Sequence, residues 1–226
     1  MALGQRLLLP SPAEVLVCLG QLLVTGGFWR SVGWSSARIL GGFVLACGLG
    51  TLLAGVSARI GFVRVLLWPF VAAVKAVPVV SFIILALVWL PSRQLSLFIS
   101  ALMVFPTVYL NVLEGVDRTD TALLEMARVF RVPVSQRLRD IYLPQVLPWF
   151  RSACALGLGL CWKSGVAAEV IGLPAGSVGE ELYHAKVYFE TPELFAWTAV
   201  IVALSMLVEQ MVLRLLDRLD RKAVRG

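Results

Sequence analysis

Residues 123–148 read LLEMARVFRVPVSQRLRDIYLPQVLP. The stretch places Arg128, Arg131, Arg137 and Arg139 in the interior of a chain that otherwise avoids charge. Of 226 residues, 59% are hydrophobic and 15% charged, with a mean hydropathy of +0.85. A soluble domain does not have that composition, so the chain reads as an integral membrane protein, and this stretch as a water-facing break between spans.

On either side of the break lie apolar runs long enough to cross about 30 Å of hydrocarbon, which takes about 20 helical residues. They fall at 33–56, 62–90, 95–113, 146–171 and 194–215, predicting an all-α, polytopic transmembrane bundle of about five spans. The run 62–90 is too long for one straight helix, and Pro69 and Pro78 are its expected kinks or ends. Residues 1–32, with prolines at 10 and 12, lack the apolar core and cleavage site of a signal peptide. They are read as an N-terminal amphipathic segment lying at the interface or packing on the bundle, helical from Ala13 to Phe28, with a short sixth span as the alternative.

Basic residues mark the cytoplasmic side of a membrane protein. One set of loops carries Arg59, Arg64, Arg118, Arg128, Arg131, Arg137, Arg139, Arg214, Arg218, Arg221, Lys222 and Arg225, against Arg6, Arg30, Arg93 and Lys186 on the other. The 114–144 loop and the C-terminus are therefore expected inside, and the N-terminus outside. The net charge of +6 reflects this asymmetry and needs no nucleic-acid partner. Cys18, Cys47, Cys154 and Cys161 form no CxxC and accompany a single histidine, so they read as packing residues, with no metal site expected.

Within the loop, Thr119 to Phe130 has helical composition. Asp117, Thr119 or Asp120 can cap it, and Leu123, Leu124, Ala127 and Phe130 form an apolar face. Pro133 stops this helix and starts a second over Ser135–Tyr142, running on to Pro144. Two short angled helices with an apolar face flanked by arginines make a shape that docks into another protein's groove.

Here the sequence resembles the permease subunits of bacterial ABC importers, whose coupling loop reads E-A-A, three residues, G, nine residues, I-x-L-P. Glu125-Met126-Ala127 is followed at that spacing by Arg131 and then by Ile141-Tyr142-Leu143-Pro144. Met126 stands for the first alanine and Arg131 for the glycine, which would make the left-handed turn without steric cost. The resemblance covers residues 33–222. KAVPVVSFIILALVWL, FPTVYLNVLEGV and GLGLCWKSGVAAEVIG are similar to the branch importing nitrate, sulfonates, taurine and thiamin-precursor-type solutes. In that branch LPSPAEVL follows a first transmembrane helix of six, so an upstream helix is expected.

The resemblance implies that Glu125, Met126, Ala127, Arg131, Ile141, Leu143 and Pro144 couple to a cytoplasmic ATPase. It also implies a second permease copy, an external solute-binding protein, and a bacterial inner-membrane location. ATP and Mg would be bound by the partner ATPase, with no cofactor and no catalytic residue in this chain. GLGLCWKS at 157–164 superficially matches a phosphate loop, but Trp162 occupies a glycine position within an apolar span, so it binds no nucleotide.

Gly42, Ala46, Gly50 and Ala54 recur every fourth residue, as do Ala153, Gly157, Cys161 and Gly165, and such ridges let helices pack closely. The second ridge continues to Glu169. Intramembrane charge faces an interior or a water path, which makes Lys75, Ser81, Trp162, Lys163 and Glu169 the translocation-path candidates. Lys163 and Glu169 are about 240° apart around one helix and do not pair within it. A lysine near the midplane favours an anionic solute; the alternatives are an interhelical Lys–Glu pair or a snorkelling lysine. Pro78, Pro106 and Tyr109 can free backbone groups or bend their spans. Glu180, Glu181, Glu190 and Glu193, in an outer loop, are solvated or meet a binding protein. Two rivals stand against the permease reading. A secondary transporter would show an internal repeat, and none is convincing; a membrane enzyme would need a cluster of titratable groups at one depth.

Overall fold

The computed structural model describes residues 10–225, with side chains to residue 218. Arg6, within the first nine residues of the expected N-terminal segment, and the side chains of Arg221, Lys222 and Arg225 lie outside the described residues.

The described chain is helical. A short helix, α1 (Pro12–Val24), opens with a capping box in which Ser11 accepts from the Glu14 N–H and the Glu14 carboxylate accepts from the Ser11 N–H. Thr25 separates it from α2 (Gly26–Arg59). The first span thus begins earlier than 33, and the expected 32/33 boundary falls inside a continuous helix of 34 residues. At about 1.5 Å per residue it is about 51 Å long, more than the hydrocarbon needs.

The run 62–90 is broken. Helices α3 (Gly61–Ala76) and α4 (Val79–Leu87) meet at Val77–Pro78 with a bend of 104°. Pro78 supplies the break, because it cannot donate and holds the preceding residue extended. Pro69 stays within α3. α5 (Ser92–Asp117) returns to the loop end, where α6 (Thr121–Val129) begins. α7 (Val134–Arg137), a π-turn at Leu138–Tyr142 and α8 (Leu143–Gly172) then run end to end as one 39-residue span. The second short helix expected at 135–142 is therefore the first turns of a long one. Pro144 is accommodated because it lies in the first turn of α8 and follows the π-turn, where Leu143 N–H reaches back to the Leu138 carbonyl. Beyond α8, α9 (Val178–Val187) crosses the far end, and α10 (Thr191–Arg225) closes the bundle.

Among the described residues four helices are long and apolar enough to cross a membrane, five if the bent pair is counted as one span. Both small-residue ridges face protein. Gly42 and Gly50 of α2 sit against Leu97 and Val108 of α5, and Gly157 and Gly165 of α8 sit against Val104 and Ser100 of the same helix. With no hydrophobic force between helices in lipid, such close backbone approach is what binds them. α5 is accordingly the axis of the bundle, with Val104 and Val108 fully buried against α2 and α8, and Leu95 and Ile99 against α4 and α8. The α3–α4 pair and α10 sit outside this three-helix core; Phe62, Val65, Trp68, Val88 and Trp89 are exposed on the former.

Candidate functional site

Three arrangements carry chemistry or mechanical connection. The first is a cavity of about 510 Å³ beside the break in the α3–α4 span. Lys75 reaches it from the last turn of α3, Val77 and Val79 from the bend, Thr107 and Asn111 from α5, and Lys163 and Ser164 from α8. Pro106 also lines it, where α5 lacks one backbone donor. Asn111 spends one amide hydrogen on the Thr107 carbonyl at 2.8 Å, and Ser164 donates to the Leu160 carbonyl at 2.8 Å. A second cavity of about 370 Å³ shares Lys75 and Leu110 with the first. Among the described residues no acidic side chain lines either cavity, and no ion pair is made by Lys75 or Lys163.

Of the five path candidates, Lys75 and Lys163 meet at this cavity and the other three do not. Ser81 is exposed on α4, away from the lining. Trp162 is 3% exposed and packs into the main core, with its indole N–H unpartnered. Glu169 is fully buried and forms the second arrangement, an interhelical charge pair whose partner is an arginine. Its carboxylate lies 3.1 Å from the Arg38 guanidinium on α2. It also accepts from Ser35 Oγ at 2.7 Å and from the Gly179 N–H at 3.4 Å, while Val178 N–H donates to Ser35 Oγ at 2.9 Å. Contact with Arg38 is Coulombic rather than aligned, since Arg38 Nε and Nη2 have no hydrogen-bond partner. Glu169 thus serves α9 as an anion at its helix N-terminus, supplied by another helix. Arg38, like Arg151, is a residue that loop-by-loop counting of charge misses; its signal is a charge inside the first expected span.

The outer acids are engaged locally. Glu180 accepts from the Gly176 N–H, Glu181 from Ser31 Oγ and Glu193 from the Trp197 indole. Tyr109 is buried and donates to Ser57 rather than facing the cavity. In α1, outside the spans, burial pushes the Cys18 thiol up, with Glu193 and Glu190 adding to the shift. Among the described residues no group of His, Cys, Asp and Glu is placed to hold a metal ion.

The third arrangement is the loop. Asp120 caps α6 by accepting from the Ala122 N–H. At the far end Arg131 adopts φ 52°, its N–H bonds the Arg128 carbonyl, and the Val132 N–H bonds the Ala127 carbonyl. That pair of bonds is a Schellman motif with arginine at the left-handed position. Ala127 and Ile141 point inward and are buried, whereas Glu125, Met126 and Leu143 are exposed and Pro144 is half-buried. Around Met126, the exposed side chains of Val129, Phe130, Val134 and Leu138 make an apolar knob. The loop is tied to the spans: Gln145 Oε1 accepts from the Asp120 N–H at 2.8 Å. Trp149 lies against Gly115, where any Cβ would overlap it, and under Arg118 at 5.5 Å.

A polytopic helical bundle with a lysine-lined cavity beside a broken span and an anchored apolar knob at one end suits a transport subunit. The family described as binding-protein-dependent transport system inner membrane component matches residues 46–225, and the chain belongs to it. Among curated relatives, the Bacillus subtilis strain 168 protein named as an aliphatic sulfonates transport permease, SsuC, is 30% identical, the alignment covering 93% of this chain and 76% of that one. The riboflavin transport system permease RibX of Chloroflexus aurantiacus is 30% identical over 94% of this chain and 79% of its own. The taurine permease TauC of Escherichia coli K12 is 28% identical over 94% and 78%. The inward-facing MetNI methionine ABC transporter has the same fold, with a TM-score of 0.63 at 20% identity, covering 90% of this chain and 96% of that one. The chain is a membrane-spanning permease subunit of an ATP-driven ABC importer and a multi-pass inner-membrane protein.

Proposed function

We infer that this permease works as a homodimer with two cytoplasmic ATPase subunits and an external solute-binding protein, passing a small polar or anionic solute of the kind its relatives are named for. ATP and Mg sit in the ATPase, and this chain carries the movement. The observation that supports the reading is the loop at 119–144. Its apolar knob is exposed without a partner in the chain, while Gln145 and Trp149 fasten its base to α5 and α8. A knob of that kind, buried in a groove of the ATPase, would pass the closure of the ATPase dimer into the three-helix core. Glu125 is exposed beside it and has no ion-pair partner among the described residues, leaving it available to a basic group of the ATPase. The arginine distribution supports a cytoplasmic side for this loop and the C-terminus.

The test is purification from gently solubilised native membranes. An ATPase and a solute-binding protein that stay bound to the wild-type chain, with the ATPase lost from Phe130→Asp, support the reading. A chain that comes down alone and still moves solute without ATP overturns it.

A further inference from the structure

Along the last half of α10 the charges are segregated by sign. At about 100° per residue, Arg214, Arg218, Arg221, Lys222 and Arg225 fall by helical register within an arc of about 100°, whereas Glu209, Asp217 and Asp220 fall within about 80° outside it. Leu216 is buried against the main core. Arg214 and Arg218, each two residues from it and so about 200° around the helix, are exposed on the opposite side. Neither arginine makes an ion pair among the described residues. Arg214 Nη2 lies 3.5 Å from Gln210 Oε1, a weak contact. The acid between them in sequence is turned aside: Asp217 accepts from Arg151 Nε and, at 3.3 Å, from Arg151 Nη2, a forked pair directed at α8. Like charges four residues apart on a helix repel each other. An external anion on this face relieves that repulsion.

The residues that precede the stripe on the same face decide what kind of anion. Leu207 and Met211 are exposed and stand seven and three residues before Arg214, so one helix face reads apolar, apolar, basic, basic. Depth agrees with that order. Arg214 is about 35 Å along the axis from Thr191, just beyond a hydrocarbon layer of about 30 Å, and Arg225 is about 51 Å from it. The basic stripe thus starts at headgroup level, and Leu207 and Met211 lie at acyl-chain level. We propose that this face binds an anionic phospholipid, its phosphate between Arg214 and Arg218 and an acyl chain along Met211 and Leu207. Arginine suits the role because its fork bonds two phosphate oxygens at once. A soluble anion or an acidic peptide would meet the arginines without covering the two apolar residues, whereas a phospholipid covers both.

The test reconstitutes the permease with its ATPase in nanodiscs of phosphatidylethanolamine containing a trace of phosphatidylglycerol with a photoreactive acyl chain. Crosslinks are mapped by mass spectrometry, and at trace probe the labelling follows affinity. Labelling should concentrate on the α10 segment around Leu207 and Met211, exceed that from phosphatidylethanolamine bearing the same chain, and weaken as salt rises. A juxtamembrane arginine contributes about fivefold in affinity, so Arg214→Gln combined with Arg218→Gln should lower the labelling about thirtyfold. Arg214→Lys combined with Arg218→Lys keeps the charges and should retain most of it, which separates loss of the charge from loss of the fold. Equal labelling by the two phospholipids, or labelling that the glutamine variant leaves unchanged, overturns the site. Loss of the ATPase from the glutamine variant also overturns it, since the stripe would then be a protein docking face. So does labelling that arises only after permease copies are separated, which would give this face to a second copy.

Discussion

At Arg131 the backbone is held at φ 52°, a conformation that costs a side-chain-bearing residue about 1–2 kcal/mol. The two Schellman hydrogen bonds that close α6 help offset that cost. Arg131→Gly should therefore keep the turn, raise the stability of the purified protein by up to about 1 kcal/mol, and leave association with the ATPase intact. Arg131→Ile, β-branched at a left-handed position, should open the turn and lower the amount of co-purifying ATPase. Thermal unfolding together with pull-down yield checks both, and an isoleucine variant that binds normally would refute the role of this turn. At Glu169 the argument is electrostatic. Glu169→Ala strands the guanidinium of Arg38 in the bundle and should cost about 3 kcal/mol. Arg38→Met with Glu169→Leu removes both charges and should recover most of that loss. The shortfall should be about 1 kcal/mol for each bond that Ser35 and Gly179 lose. If the double variant is no more stable than Glu169→Ala, the stranded charge is not the cause.

Between elements, the close contacts depend on what is missing from the side chain. A Cβ on Gly179 would overlap Glu169 and the α8 backbone, so α9 rests directly on α8. Gly179→Ala should lift α9 even with the charge pair intact and lower the unfolding temperature; an unchanged temperature would show that α9 is loosely seated. The four-residue ridges were legible because small residues recur at a helical period, and each lies where the period places it. The spans were legible from length and hydropathy. What the sequence could not supply was partnership across elements. Period fixes the face on which Glu169 lies, but only the packing of α2 beside α8 brings Arg38 to it. The lysine cavity was half-legible for the same reason. Both residues stand out as charges in apolar runs, yet nothing in either run says that α3 and α8 bring them to one cavity. The long helix Val134–Gly172 was obscured by Pro144, which reads as a stop unless the π-turn before it is known.

If the bent α3–α4 pair is one span, the described residues cross the membrane five times, and α1 and the far end of α10 then lie on opposite sides. The knob at Val129 and Phe130 and the α8–α9 turn at Ala175 are likewise at opposite ends of α8. Orientation is then one binary choice. Arg118, Arg128, Arg131, Arg137 and Arg139 all stand at the knob end, whereas Arg93 and Lys186 stand at the other, and the positive-inside rule gives the knob end to the cytoplasm. An impermeant maleimide tests this on intact cells whose outer membrane has been removed. Cys47, Cys154 and Cys161 lie within the spans, so replacing Cys18 by alanine removes the native thiol nearest the outer surface. In that background Ala175→Cys, at an exposed site, should be labelled from outside, while Ser135→Cys, also exposed, should be labelled only after permeabilisation. The reverse pattern would put the knob outside, where no ATPase can reach it, and the mechanical route from ATP hydrolysis through Gln145 and Trp149 into the core would have no driver.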